Sequence, residues 1–310
     1  MNAPSFADPR GHQLRTLRTL TFSIAYRMLG SVADAEDVVQ ESFLRFHRAQ
    51  SEGTAIESPK AFVASIATRL SIDHLRSARV RREQYVGTWL PEPVVDEREP
   101  DAERRLEHAE SLSMAFLVML EALSPIERAV FVLREVFDYA YEDIAAIVEK
   151  TSDNCRQIFV RARQRLARRQ PRFESSREQR DALAQRFLAA CEVGDLAGLE
   201  QLLATEATFY GDGGGKVPIA IRQPVHGRER VARLLNAILF KKKYEGSQLR
   251  RVHVNGQPGA MILDAEDRVI YVVALEIADG LVHAIRSVIN PDKLQHLGRV
   301  SEAALNPPSH

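Results

Sequence analysis

Apolar positions in the first 170 residues recur at the three-and-four spacing of helices that bury one face. Between Leu14 and Leu29 they fall at Leu17, Leu20, Ile24 and Met28, and Gly30 ends the run. Ser31 opens a second helix, carrying Asp34, Glu36 and Asp37 in its first turns, where the helix dipole favours acids. Its apolar positions are Val38, Val39, Phe43, Leu44 and Phe46. Pro59 suits the first turn of a third helix, continued by Phe62, Ile66, Leu70 and Leu75 to about Arg82. Trp89-Leu90-Pro91-Glu92-Pro93 breaks the pattern, and helix returns from about Asp101 through Leu120. Ser124 caps the next helix, with Pro125 at its first position and Glu127 in its first turn. Two short helices follow, Tyr141 to about Glu149 and about Asp153 to Arg168, the latter capped by Thr151 or Ser152.

Near Pro171 the period changes. Helices are expected at about Glu178–Val193, Asp195–Leu203 and Gly227–Leu239. Alternating, β-branched stretches then run over Gln248–Val254, Ala260–Leu263, Val269–Ile277 and Leu281–Ile289. Asp279-Gly280 between the last two is a hairpin signal. The expected fold is multidomain: two all-α domains followed by an α+β domain whose sheet is an antiparallel meander. The boundaries fall at 10–85, a linker over 86–110, 111–172 and 175–295.

Composition narrows the class. The chain has 310 residues, 45% hydrophobic and 27% charged, as in soluble globular proteins. Two cysteines, Cys155 and Cys191, without a CxxC or a His/Cys cluster, exclude a disulfide framework and a structural zinc site; no metal or cofactor is expected. The N-terminus lacks the apolar segment of a secretory signal, and no apolar run approaches 20 residues, so the expected compartment is the cytoplasm, away from membranes. Lys plus Arg and Asp plus Glu both count 42, but the charge is segregated. Asn154–Arg172 holds seven arginines and no acid, Arg69–Arg82 five arginines against one aspartate, and Glu92–Glu110 eight acids against three bases. Two basic patches joined by an acidic connector imply two nucleic-acid-contacting modules on a tether.

The segment Tyr141–Arg168 carries the sharpest chemistry. Two short helices joined by a tight polar turn, the second basic, form a helix-turn-helix pattern. Ile144, Ala145 and Val148 supply one apolar face, and Cys155, Phe159, Ala162 and Leu166 the other. The opposite face of the second helix presents Arg156, Gln157, Val160, Arg161 and Gln164, types that read base edges in a major groove. Arg163, Arg165, Arg168 and Arg169 suit phosphates. The plainer reading of this helix is a solvated basic face.

Phe22-Ser23-Ile24-Ala25-Tyr26-Arg27-Met28-Leu29-Gly30-Ser31, leading into Ala35-Glu36-Asp37-Val38-Val39-Gln40-Glu41-Ser42-Phe43, resembles region 2 of sigma-70-type factors of the extracytoplasmic-function group. Leu123-Ser124-Pro125-Ile126-Glu127-Arg128, with Tyr141-Glu142-Asp143-Ile144-Ala145 and Arg161-Ala162-Arg163-Gln164-Arg165-Leu166, resembles region 4 of the same group. The resemblance implies a protein that binds core RNA polymerase, through its β′ and β subunits, and directs initiation at promoter DNA. Region 4 would read the −35 element with Arg156, Gln157, Val160, Arg161 and Arg165. Region 2 would hold the melted −10 strand with Arg69, Asp73, His74, Arg76 and Arg79. Asp34, Glu36, Asp37, Gln40 and Glu41 would face polymerase. The alternative is a ligand-responsive helix-turn-helix regulator that is not a polymerase subunit.

The last 140 residues look like a SnoaL-like, NTF2-type domain of the kind fused to SigJ-type members of the group. Trp89, Pro91, the run Asp212-Gly213-Gly214-Gly215-Lys216 and the run Asn290-Pro291-Asp292-Lys293 carry that likeness. It implies a built-in regulator in place of a separate anti-sigma protein. The glycine run is read as a latch between domains or as a tight flexible turn, with a small ligand in the domain left open. The strand histidines His226, His253 and His283 offer no readable acid–base pair, so no enzyme is expected.

Overall fold

The computed structural model describes residues 9–83, 85–96, 110–167, 176–218, 220–237 and 246–302, without the side chains of Pro9, Arg10, Glu110 and residues 78–83. They fall into two compact units that cross the chain order: one within residues 1–80 and 120–168, the other within 81–119 and 169–310. The helices are α1 (Pro9–Leu29), α2 (Val32–Ser51), α3 (Pro59–Glu83), α4 (Met114–Leu120), α5 (Pro125–Glu135), α6 (Tyr141–Val148), α7 (Ser152–Ala167), α8 (Arg177–Val193), α9 (Leu196–Leu202) and α10 (Arg228–Leu235).

The first unit contains α1–α3 and α5–α7. Ser31 caps α2 by accepting from the Asp34 amide at 3.1 Å. Ser124 and Glu127 close a reciprocal capping box on α5, with Pro125 at the first position. Glu149 ends α6 in the left-handed region at φ 56°, and the Thr151 hydroxyl accepts from the Asn154 amide as α7 begins. Ile144, Ile147 and Val148 meet Cys155, Ile158, Phe159 and Ala162 in the core of this pair, and Phe131 of α5 stacks on Phe159. Cys155 is fully buried, and burial raises its thiol pKa, as befits a small core residue.

Two buried arginines lock α1 to α5 and its exit. Arg128, 3% exposed, donates to the Met28 carbonyl at 2.7 Å and pairs with Glu121 at 2.8 Å. Arg27, 2% exposed, lies over the Phe137 ring and donates to the Ser23 carbonyl. Burial lowers its pKa to about 10, so it stays charged at neutral pH.

The second unit is built on a seven-stranded sheet of order β1-β4-β5-β6-β7-β2-β3. Its strands are β1 (Val95–Asp96), β2 (Leu203–Asp212), β3 (Val225–His226), β4 (Gln248–Val254), β5 (Gln257–Leu263), β6 (Val269–Ala278) and β7 (Leu281–Val288). Asp279 and Gly280 take φ 50° and 69°, the double positive φ of the predicted hairpin. The α+β class is as expected, but the sheet is not a pure meander. β2 runs parallel to β7, and β1, β2 and β3 lie outside the predicted strands. β2 escapes the sequence pattern because its burial does not alternate: it sits in the sheet interior with both faces covered.

One face of the sheet packs against α8–α10 through Phe187, Leu199, Leu202, Val231 and Leu235. The other is covered by Leu90, Met114, Val118, Leu294 and Leu297. The expected tether over 86–110 is therefore corrected in part. Residues 85–96 and 110–119 belong to the second unit, and β1 extends its sheet by pairing Val95 with Val254. Folding makes this favourable because the sheet's second apolar face would otherwise meet water. Most of the acidic run (97–109), like Arg168 and Arg169, lies outside the described residues.

Candidate functional site

Three surfaces gather the residues singled out from the sequence. On α2, Glu36, Asp37 and Gln40 border a groove of about 500 Å³ that also takes in Arg18, Val39, Phe43, Leu44 and His47. Glu36 pairs with Arg18 at 2.5 Å and Glu41 with Arg45 at 2.6 Å, both exposed. Leu44 stands 57% exposed beside the acids. The period of α2 places Leu44 in its apolar stripe, whereas the fold leaves it exposed. Asp34 points elsewhere, meeting His74 of α3 at 3.2 Å, so a residue expected to face polymerase and one expected to face DNA hold each other.

On α3, Asp73 and Arg76 form an exposed pair at 3.2 Å. The Arg79 side chain lies outside the described residues. Arg69 reaches α6, donating from Nε to the Ile147 carbonyl at 3.0 Å and from an Nη to the Ala146 carbonyl at 2.9 Å. It also stands 3.7 Å from Glu149. These are orphan carbonyls of a helix C-terminus, where a cation is favoured. Arg69 thus caps the helix-turn-helix rather than standing free for a DNA strand.

On α7, Arg156, Gln157, Val160, Arg161 and Gln164 are exposed along one side, with Val160 at 51%. Arg156 is held by Glu142 at 3.1 Å and Asp153 at 2.8 Å, over the Tyr141 ring. Arg165 differs from its expected place. It turns back to the Ala122 carbonyl and to Glu127 of the α5 capping box at 3.0 Å, bracing α7 against α5.

In the second unit, Asp212 ends β2 with no exposed surface. Its carboxylate accepts from the Tyr85 hydroxyl, the Leu90 amide at 2.8 Å, the Gly214 amide at 3.1 Å and the Lys293 ammonium at 2.7 Å. Lys293 also donates to the Leu90 carbonyl, and its nitrogen lies 4.8 Å and 4.5 Å from the ring centroids of Tyr85 and Trp89. Burial and the Asp212 charge raise the Tyr85 phenol pKa, so it remains a donor. Asn290 donates to the Tyr85 oxygen at 3.0 Å.

The glycines are there for close approach. A Cβ on Gly214, at φ 60°, would stand 2.3 Å from Asn290 Nδ2, and one on Gly213 would stand 2.2 Å from the Ala220 Cβ. Val86 sits against Gly215. The glycine run forms a turn, the Lys216 amide donating to the Gly213 carbonyl at 3.0 Å, and the same turn lies against the linker at Val86. Lys216 and Asp292 pair at 2.5 Å but are half exposed, a bond of at most about 1 kcal/mol. Pro91 is buried, and the Pro93 carbonyl accepts from His296. Asn255, 1% exposed, accepts from the Val94 amide and donates to the Leu112 carbonyl. Tyr85 and Asn255 were not among the residues singled out, because neither belongs to a motif; only the fold brings Tyr85 to Asp212 and Asn255 to the linker.

The sigma-70 region 2 family matches residues 14–81, and the sigma-70 region 4 family matches 113–166. The ECF RNA polymerase sigma factor SigJ of Mycobacterium tuberculosis is 36% identical over 295 residues, spanning 91% of this chain and 92% of the relative. This chain is a sigma-70-family factor of the extracytoplasmic-function group. A second relative, the probable sigma factor SigI of the same species, is 31% identical over 94% of this sigma factor and 96% of its own length. The crystal structure of SigJ superposes with a TM-score of 0.72 at 32% identity, covering 92% of this chain and 98% of that one. The sigma factor therefore works with core RNA polymerase at promoter DNA, and its family is not enzymatic. The alternative of a regulator outside polymerase leaves the region 2 match without a use. Among the described residues no helix is long and apolar enough to cross a membrane, and no group of His, Cys, Asp and Glu could hold a metal.

Proposed function

We propose that this sigma factor is regulated in cis, its linker clasped by its own C-terminal domain until polymerase engages it. The observation that carries the reading is the buried clasp in which Asp212 and Lys293 hold the Leu90 backbone, with the Lys293 ammonium over the Tyr85 and Trp89 rings. A linker seated in that clasp is not free to span a promoter. The Arg69 bridge to α6 acts in the same direction. The −35 and −10 elements lie 25 base pairs apart by name, roughly 85 Å at ~3.4 Å per base pair. A region 2 hydrogen-bonded to the helix-turn-helix cannot reach both, so the two must part on the promoter.

In the released form, Arg156, Gln157, Val160 and Arg161 read the −35 element, while Asp73, His74, Arg76 and Arg79 track the −10 strand. Glu36, Asp37, Gln40, Glu41 and Leu44 meet the β′ subunit. The C-terminal domain serves as the regulator, with no separate anti-sigma protein required and no turnover of its own. The test is reconstituted binding to bacterial core polymerase and run-off transcription from the chain's own upstream region. Lys293→Met should raise promoter-specific transcript at limiting polymerase, and truncation near Pro171 should remove the regulation. Unchanged transcription by both would refute regulation in cis.

A further inference from the structure

Under the sheet, between α8, α10 and the strands, lies a cavity of about 60 Å³. Phe187, Phe209, Leu235, Ala260 and Ile285 are among its walls, and among the described residues no carboxylate, imidazole, guanidinium or ammonium lines it. Its ionisable neighbours are neutral at physiological pH: burial raises the pKa of the Cys191 thiol to about 12, and Tyr271 is a phenol. A charged occupant would lose its hydration with nothing to replace it. At one end Ser287, 7% exposed, brings the one side-chain aliphatic hydroxyl of the lining to the cavity. A hydroxyl on an otherwise apolar wall can exchange a hydrogen bond with an occupant. Those features fit a small, uncharged, hydrocarbon-like molecule bearing one hydrogen-bonding group.

The cavity and the clasp share a wall. β2 pairs Gly211 with Ser287 and Asp212 with Val288. Successive side chains of a strand point to opposite faces. Phe209 and Gly211 face the cavity, while Tyr210 packs on the other face and Asp212 enters the clasp. The remaining wall is Ala220 and Ile221, which fold back over β2 so closely that a Cβ on Gly211 would meet the Ile221 carbonyl at 2.9 Å. Ala220 in turn touches Gly213, beside Asp212. A dry cavity of ~150 Å³ admits benzene, so a ring enters this smaller one only by pushing a wall outward. Ala220 and Ile221 are not part of a strand ladder, and the Ala220 amide donates to the Val217 carbonyl in a turn.

We infer that the cavity binds a small neutral apolar effector and that its entry displaces Ala220–Ile221, loosening Asp212 from the linker. This rests on the clasp reading above and adds its signal. Trp89 is the chain's single tryptophan and lies in the clasp, so its emission reports the linker directly. The full chain is titrated with cyclohexanol, with glycerol as the polar control, while binding heat and Trp89 emission are followed. The expected result is saturable binding with a parallel shift in emission, absent with glycerol. Ser287→Ala should weaken cyclohexanol about fivefold, the loss of one hydrogen bond, and Ala260→Leu, which fills the cavity, should abolish binding. No saturable binding in the natural chain makes the cavity a packing void and overturns the inference. Binding heat with unchanged Trp89 emission overturns it equally, because the cavity and clasp are then uncoupled. Neither result touches the cis-regulatory reading, which stands or falls on transcription by Lys293→Met without any ligand.

Discussion

Replacing Lys293 with methionine removes, among the described residues, the one ammonium in contact with a carboxylate that has no exposed surface. Breaking a buried pair by deleting one partner typically costs about 3–5 kcal/mol, mostly through the stranded charge. Here Asp212 keeps three donors, from Tyr85, Leu90 and Gly214, which places the loss near the lower end, about 3 kcal/mol. Methionine keeps an unbranched chain of similar length but no charge, so the loss covers the ion pair with Asp212 and the ammonium's contacts with the Tyr85 and Trp89 rings. Asp212→Asn strands the ammonium instead and should cost about 2–3 kcal/mol. The double substitution should cost less than the sum by about 2 kcal/mol, since each single change already breaks the pair. Urea unfolding followed by Trp89 emission reads the clasp locally, which matters in a protein of two units. At a slope of ~2 kcal/mol per molar urea, the Lys293→Met midpoint should fall by roughly 1.5 M. A midpoint within about 0.3 M of the natural chain, or strictly additive costs, would refute the claim that this ion pair holds the linker.

Three further outcomes are expected. Arg156→Ala should relax discrimination at one −35 position by about 1–3 kcal/mol, whereas Arg163→Ala should weaken all sequences alike and lower the salt slope by about one; competition binding to duplexes at two salt concentrations separates them. Leu44→Asp should weaken binding to core polymerase by at least about tenfold while leaving thermal stability within ~0.5 kcal/mol, because the side chain is exposed; equal affinity would remove this surface from the interface. Burial alone would raise the Asp264 pKa, but hydrogen bonds from Ser301 and Arg268 prevail and hold it at about 2. A depressed carboxyl stabilises the fold above its unfolded pKa of ~3.9 and loses that contribution as pH falls toward 2. The thermal-stability gap between the natural chain and Asp264→Asn should therefore be full at pH 6 and close between pH 4 and 2; a gap independent of pH would contradict the assignment.

The sequence by itself determined the helices of the first unit, because each announces its own ends and its own buried face. Ser31, the Ser124–Glu127 box with Pro125, and the apolar stripe Cys155, Phe159, Ala162 and Leu166 are local signals that packing did not override. Residue order and motif spacing were enough to name the family, and the hairpin at Asp279-Gly280 was set by two residues that tolerate positive φ. The motifs Trp89–Pro93, Asp212–Lys216 and Asn290–Lys293 could be picked out of the chain, though the bonds that join them could not. Only the tertiary structure decided that Lys293 reaches Asp212 across 81 residues and Leu90 across 203, or that Tyr85 and Asn255 belong beside them. It likewise decided that β2 pairs parallel with β7, that Arg69 caps α6 and that Arg165 braces α5. Caps, turns and amphipathic stripes are written in neighbouring residues, whereas these contacts arise where two distant surfaces must be covered together. A sheet with two apolar faces needs a second cover, and in this chain the linker supplies it.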